Sequence, residues 1–183
     1  QSVLPQLADR FNNLFIRTEI NSSQELTRAL LAGRVDVIVV LDPPTNVDLI
    51  ARRIGSLELM MVASKPSLLL EDIPNIGHIF VDWGTAFNLE QARLFNEPVA
   101  PALHTGQAHI ALEFLLSYGG AAFLPTALVT PYLEQKSIFT IDDAESATQE
   151  VYLVFSKTSE KLVQFTPIIA MMEELDIKPD FNP

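Results

Sequence analysis

The 183-residue sequence contains no cysteine, which excludes disulfides, thiolate nucleophiles and cysteine-ligated zinc. It also contains no apolar run close to the roughly 20 residues that a membrane-spanning helix needs. No secretory leader is visible at its start, although a mature form could have lost one. These absences agree with a cytoplasmic protein that makes no membrane contact.

Basic residues are scarce, with 12 Lys and Arg against 23 Asp and Glu, so the formal net charge is −11 at pH 7. A surface this acidic repels a phosphate backbone, and the chain alone should bind nucleic acid poorly. Any DNA-binding role would need a separate basic module. The charge could equally serve only solubility.

The chain is organised around residues 22–42, which predict a helix, a glycine stop and a buried strand. Ser22 with Glu25 three residues later matches a capping box, and Gly33 can take the left-handed geometry that ends a helix. Residues 37–41 are an unbroken apolar run, which predicts a parallel strand covered on both faces. Asp42 follows that strand, and ligands of α/β proteins collect beyond such strand ends.

Strands and helices alternate along the rest of the sequence. A short alternating strand is predicted at 16–20, and a longer one at 57–64. The remaining predicted elements are strands at 79–81, 102–104, 121–124, 138–141 and 151–155, and helices at 4–14, 89–95, 107–118, 128–133 and from about 159 to 175. This order predicts an α/β fold of two Rossmann-like lobes joined by two hinge crossings, with residues 1–63 and 150–183 in lobe I and 64–149 in lobe II.

Four ordered motifs resemble the LysR-type transcriptional regulators. They are LTRALLAGRVDVIVV at 26–40, LMMVASKP at 59–66, GGAAFLPTALV at 119–129 with PYL behind it, and VYLVFSK at 151–157. The resemblance covers nearly the whole chain and implies the C-terminal effector-binding domain, with the two-lobed fold of type-2 periplasmic binding proteins. The family's N-terminal winged helix-turn-helix is absent, and its first strand is missing or reduced to Gln1-Ser2.

The resemblance implies an effector cleft between the lobes, built from strand ends and helix starts. The residues that match the family's positions are Ser22, Ser23 and Asp42 in lobe I, and Trp83, Gly84, Thr85, His104, Thr105, Leu124, Pro125 and Thr126 in lobe II. Amides and hydroxyls at helix starts bind carboxylates and other anions. Asp42 would oppose a simple anion, which leaves an amino-bearing or neutral ligand open.

Each of these residue types also has a purely structural explanation. Ser22 can act only as a helix cap, and Asp42 beside two prolines can be a turn residue. Trp83 can be a packing residue or a ligand platform. His104 can be a satisfied structural group or a pH-sensitive contact.

No metal or cofactor site is expected. His109 and Glu113 share a helix face, but no third ligand has suitable spacing, so an exposed pair is the preferred interpretation. No phosphate-binding glycine loop and no positioned acid–base pair or nucleophile is present, and we do not expect an enzyme.

The resemblance also implies partners. The family's equivalents of helices 23–33 and 107–118 pair between subunits in an antiparallel homodimer, although burial within each lobe is the alternative. A small-molecule effector would bind the domain, and DNA would be reached only through the absent N-terminal domain. The competing interpretation is a periplasmic solute-binding protein of a transporter, which a leader peptide would favour and an upstream helix-turn-helix would exclude.

Overall fold

A computed structural model describes residues 3–11, 15–95 and 98–174 of the chain. The chain divides into two compact units. The first is formed by the described residues of Gln1–Ser56 and Glu150–Asp180, and the second by those of Leu57–Gln149. The division into two hinged lobes, with residues 1–63 and 150–183 in lobe I and 64–149 in lobe II, stays a prediction. Residues 175–183 of lobe I lie outside the described residues.

The first unit combines helices with a small sheet. Its elements are α1 (Val3–Arg10), α2 (Ser23–Leu31), β1 (Val37–Val40), the first part of β2 (Leu49–Ala63), most of β7 (Ala147–Ser156) and α7 (Leu162–Glu174). The strand order is β1-β7-β2. Leu30 of α2 packs with Ile38, Val40 and Val154 in the core of this unit.

Helix α2 begins and ends as the sequence predicts. Ser22 is its N-cap, and the reciprocal hydrogen bonds with Glu25 complete a capping box. At the other end Gly33 has φ +67°, its amide donates to the Leu30 carbonyl at 3.0 Å, and the Arg34 amide donates to the Ala29 carbonyl at 2.9 Å. This pair of bonds is a Schellman motif, so the backbone groups at both ends of α2 have local partners.

Two strand predictions in the first unit are wrong. Residues 15–22 form neither strand nor helix, because among the described residues no backbone lies alongside them as a ladder partner. The run at 37–41 does contain a strand, but β1 pairs antiparallel with β7 and lies at the end of the strand order. Exposure alternates along β1, with Ile38 and Val40 buried and Val39 47% exposed, so only one face of this strand is covered.

The second unit is a mixed sheet with helices. Its elements are the rest of β2, a short 3-10 helix (Leu70–Asp72), α3 (Ile73–Ile76), β3 (His78–Val81), α4 (Thr85–Arg93), β4 (Leu103–Thr105), α5 (Ala108–Tyr118), β5 (Ala121–Pro125), α6 (Thr126–Glu134) and β6 (Phe139–Thr140). The strand order is β2-β5-β3-β4, with β6 on β2. Strand β3 is parallel to both β4 and β5, whereas β2 is antiparallel to β5.

A close backbone approach sets the start of β5. The Ala121 amide donates to the Gly77 carbonyl at 2.9 Å. Gly120 has φ +112°, and a Cβ at this position would lie 2.7 Å from the same carbonyl oxygen. Only glycine satisfies both conditions, so the Gly119-Gly120 pair positions β5 beside β3.

Candidate functional site

Three parallel strands of the second unit end at one edge of its sheet. Strands β3, β4 and β5 are each followed by a helix start, and because they are parallel their carboxyl ends meet. We call residues 82–85, 104–107 and 124–126 the strand-end edge. All eight candidate residues that the sequence places in lobe II belong to it: Trp83, Gly84, Thr85, His104, Thr105, Leu124, Pro125 and Thr126.

Hydrogen bonds tie the three loops of this edge together. The Asp82 amide donates to the Thr105 carbonyl at 3.0 Å, which joins the loops after β3 and β4. The Trp83 indole Nε1 donates to the Phe123 carbonyl at 2.9 Å, which joins the first loop to β5. Trp83 is only 6% exposed, so the structure gives it a packing position. A buried indole with its N–H satisfied orients the loop that carries Gly84 and Thr85.

Two polar residues outside the candidate set complete the loop after β3. Asp82 Oδ1 accepts hydrogen bonds from the Gly84 amide at 3.1 Å and from Asn88 Nδ2 at 2.7 Å. Asn88 Oδ1 in turn accepts from the Trp83 amide at 3.2 Å. The sequence signal for this arrangement is an aspartate two residues before a glycine, which favours a side-chain-closed turn. The Asp82 carboxylate is therefore hydrogen-bonded within its own loop, to Gly84 and Asn88.

Three helices begin at the strand-end edge, and none is capped by the side chain of its N-cap residue. The N-cap residues of α4, α5 and α6 are Gly84, Gln107 and Pro125, and none of them provides a side-chain cap hydrogen bond. Helix starts carry backbone N–H groups that lack partners within the helix, together with the positive end of the helix dipole. Their convergence suits this edge to a ligand with acceptor oxygens.

The remaining candidates of the edge contribute in different ways. The Thr105 Oγ1 accepts from the Gln107 amide at 3.1 Å, and Thr126 is a half-buried first residue of α6. Leu124 is fully buried, so its side chain packs in the core and offers no surface to a ligand. His104 places its ring edge-on against Phe80, with the centroids 4.7 Å apart.

The first-unit candidates lie in a different local setting. Ser22 Oγ accepts from the Glu25 amide at 3.3 Å and donates to Glu25 Oε2 at 2.9 Å. Hydrogen bonding by the Ser22 side chain, followed by that of its backbone, lowers the pKa of the Glu25 carboxyl. Ser23 is the exposed first residue of α2, and Asp42 is a half-buried residue after β1. Their role as ligand contacts stays a prediction.

No group of three or more His, Asp or Glu side chains among the described residues could hold a metal ion. Nor is any helix in the described ranges both long enough and apolar enough to cross a membrane.

The fold is that of the regulatory domains of bacterial regulators. The bromide-bound regulatory domain of HypT from Salmonella typhimurium is similar with a TM-score of 0.76 and 15% identity, over 94% of this chain and 88% of that one. The sulfate-bound regulatory domain of an OxyR2 E204G mutant from Vibrio vulnificus is similar with a TM-score of 0.71 and 18% identity, over 94% and 87%.

The family model for the LysR substrate binding domain matches residues 1–175. The chain therefore belongs to the LysR substrate binding domain family. It is 26% identical over 167 residues to the HTH-type transcriptional regulator HdfR of Yersinia enterocolitica, covering 86% of this chain and 56% of that protein. It is 30% identical over 132 residues to HdfR of Yersinia pestis, covering 67% and 45%. The chain thus spans about half the length of these curated relatives.

Proposed function

We propose that this domain senses a small-molecule effector on behalf of a LysR-type transcriptional regulator and binds it at the strand-end edge. The observation that carries the proposal is the match of the substrate-binding family model to residues 1–175. The edge is the part of the second unit where the family's expected contact positions come together. We further propose that the domain is not an enzyme and acts in the cytoplasm, where its DNA target lies.

The chemistry of the edge favours an effector with a carboxylate or another oxyanion group. Three helix starts converge here, and the hydroxyls of Thr105 and Thr126 supply polar contacts. The Gly84 amide at the start of α4 already donates to Asp82 Oδ1, and the Gln107 amide at the start of α5 to Thr105 Oγ1. The two structural relatives with the same fold are described as sulfate-bound and bromide-bound, which is in keeping with an anionic ligand.

DNA binding would belong to a part of the protein outside this chain. The domain itself has a net charge of −11 and would be repelled by phosphates. The curated relatives are helix-turn-helix regulators about twice as long as the matched region. In this proposal effector binding favours one arrangement of the whole regulator over another, because a ligand shifts an equilibrium only through its differential affinity.

A homodimer through the helices predicted at 23–33 and 107–118 is part of the proposal. Helix α2 exposes Leu31 (51%), and α5 exposes Ile110 (44%), Leu116 (41%) and Tyr118 (82%). The Tyr118 ring stacks on Phe114 at 4.9 Å, which extends the apolar surface of α5. Exposed apolar residues on one helix are typical of a surface that a partner covers.

The test is a thermal-unfolding screen of carboxylic-acid metabolites against the 183-residue domain. An effector at a hundred times its dissociation constant should raise the free energy of unfolding by about 2.7 kcal/mol. Thr105→Val and Thr126→Val together should remove most of this increase, because they delete hydroxyls of the edge. The Thr166→Val variant is the control, since it removes an exposed threonine hydroxyl on α7 in the first unit.

Two results would contradict the proposal. If no acid in a broad panel stabilised the domain, the sensor function would lose its support. If the double threonine variant kept the full increase, the effector would bind elsewhere.

A further inference from the structure

A cavity in the second unit lies against β3, β4 and the residues that follow α4. Its volume is about 700 Å³, and its walls include His78 and Phe80 of β3, His104 of β4 and Phe95 just after α4. We call it the ring cavity. Small-molecule sites typically occupy roughly 300–1,000 Å³. His104 also belongs to the strand-end edge and is the register partner of Phe80, so the cavity adjoins the edge at this residue and extends from it along β3 to His78.

The rings of the cavity contact one another edge-on. The centroids of Phe80 and His104 are 4.7 Å apart, those of His78 and Phe95 are 5.0 Å apart, and those of His78 and Phe80 are 6.1 Å apart. Aromatic pairs favour this range of distances. Four rings held in this way form a preformed aromatic wall against which a flat ligand can pack.

The wall is neutral at its buried end. His78 is 3% exposed and its Nε2 lies 3.0 Å from Oε1 of Gln91, which is itself 1% exposed. Burial lowers the pKa of His78, and the hydrogen bond to Gln91 opposes this effect only in part. The imidazole is therefore uncharged at neutral pH and serves as an aromatic surface.

One cation lines the otherwise apolar cavity. Arg93 is the exposed last residue of α4, and within the described part of the chain its guanidinium forms no ion pair. The remaining contacts are largely aliphatic, from Pro98, Val99 and Pro101. A guanidinium fork binds a carboxylate through two parallel hydrogen bonds. Because basic side chains are scarce in a chain of net charge −11, we take the guanidinium beside the aromatic wall as a sign of a specific ligand.

We propose that the ring cavity is a second ligand site, which binds an aromatic carboxylic acid with a single ring or two fused rings. The ring of the ligand packs against Phe80 and Phe95, and its carboxylate binds Arg93. His104, which the sequence assigns to the effector site, directs its ring into this cavity. The proposal does not depend on the function of the strand-end edge.

Calorimetric titration of the 183-residue chain tests the ligand class with 2-naphthoate as the probe. Its neutral analogue 2-naphthylmethanol lacks the charge, and cyclohexanecarboxylate lacks the aromatic ring. We expect 2-naphthoate to bind at least about tenfold more tightly than either. Arg93→Gln should weaken its binding by about tenfold or more. Arg10→Gln, which changes the exposed last residue of α1, should leave the affinity unchanged.

Histidine ring resonances test the location, because the chain contains only three histidines. Addition of 2-naphthoate should shift the signals of His78 and His104 and leave that of His109 on α5 in place. Absence of 2-naphthoate binding, binding of either analogue as tight as that of 2-naphthoate, or a response that omits His78 would overturn the proposal. Thr126→Val should not change the affinity; a loss in this variant would place the acid at the strand-end edge instead.

Discussion

The helix starts of the two units differ in how their amides are satisfied. In the first unit, α2 begins with Ser22 and Glu25, which cap each other's backbone within one turn. In the second unit, the N-cap residues of α4, α5 and α6 are a glycine, a glutamine and a proline, and none of them provides a side-chain cap hydrogen bond. The capped start stabilises its own helix, whereas the uncapped starts share one sheet edge and suit a ligand.

The largest expected effect comes from the turn that positions β5 and therefore the start of α6. Gly120→Ala should lower the free energy of unfolding by about 2–4 kcal/mol, because it adds both backbone strain and a clash with the Gly77 carbonyl. Chemical denaturation measures the change. Gly106→Ala is the matched control, since nothing lies within 4 Å of its Cβ position. Equal effects of the two substitutions would contradict this role of Gly120.

The cap of α2 should matter for stability and not for ligand binding. Ser22→Ala should cost about 1 kcal/mol of unfolding free energy, because the amide of Glu25 loses its acceptor. Ser23→Ala is the control, since Ser23 follows the cap and its side chain forms no cap hydrogen bond. If Ser22→Ala left stability unchanged but abolished the response to an effector, the division between capped and binding helix starts would be wrong.

The same cap predicts a smaller effect that depends on pH. The pKa of Glu25 is lowered from its usual 4.5 in the folded state, first by the hydrogen bond from the Ser22 side chain. Its stabilising contribution is therefore complete above the unfolded pKa and is lost as the pH falls through the lowered value. Glu25→Gln should destabilise the domain at pH 7, and the difference from the unmodified chain should shrink in acid.

Denaturant titrations at several pH values measure this difference. Glu58→Gln, an exposed change on β2, controls for the loss of one negative charge. A difference that persisted at the acid end of the series would show that the Glu25 carboxylate is not the source of the stabilisation.

The same contrast explains which parts of the structure could be predicted from sequence. The start of α2 was predictable because Ser22 and Glu25 are a local signal. The sequence predicts the start of α4 at residue 89, but the helix begins at Thr85. The prediction is late because the N-cap residue, Gly84, provides no side-chain cap hydrogen bond. The missing cap therefore hides the helix start in the sequence and also leaves the start suited to a ligand.

Other features depend on contacts that a local pattern does not contain. The alternation at 16–20 indicates two faces, but it does not reveal whether another strand lies alongside. The apolar run at 37–41 predicts burial without giving strand direction, and Val39 is exposed because only the face of β1 that carries Ile38 and Val40 is covered. The Asp82–Asn88 bond was missed because it requires the earlier start of α4.

Titration of the 183-residue domain with sulfate, followed through its backbone amide NMR signals, tests whether the strand-end edge binds an anion. Binding at this edge predicts the largest shifts at the first turns of α4, α5 and α6, and none at the first turn of α2. Shifts at α2 that equalled or exceeded those of the other three helices would contradict it.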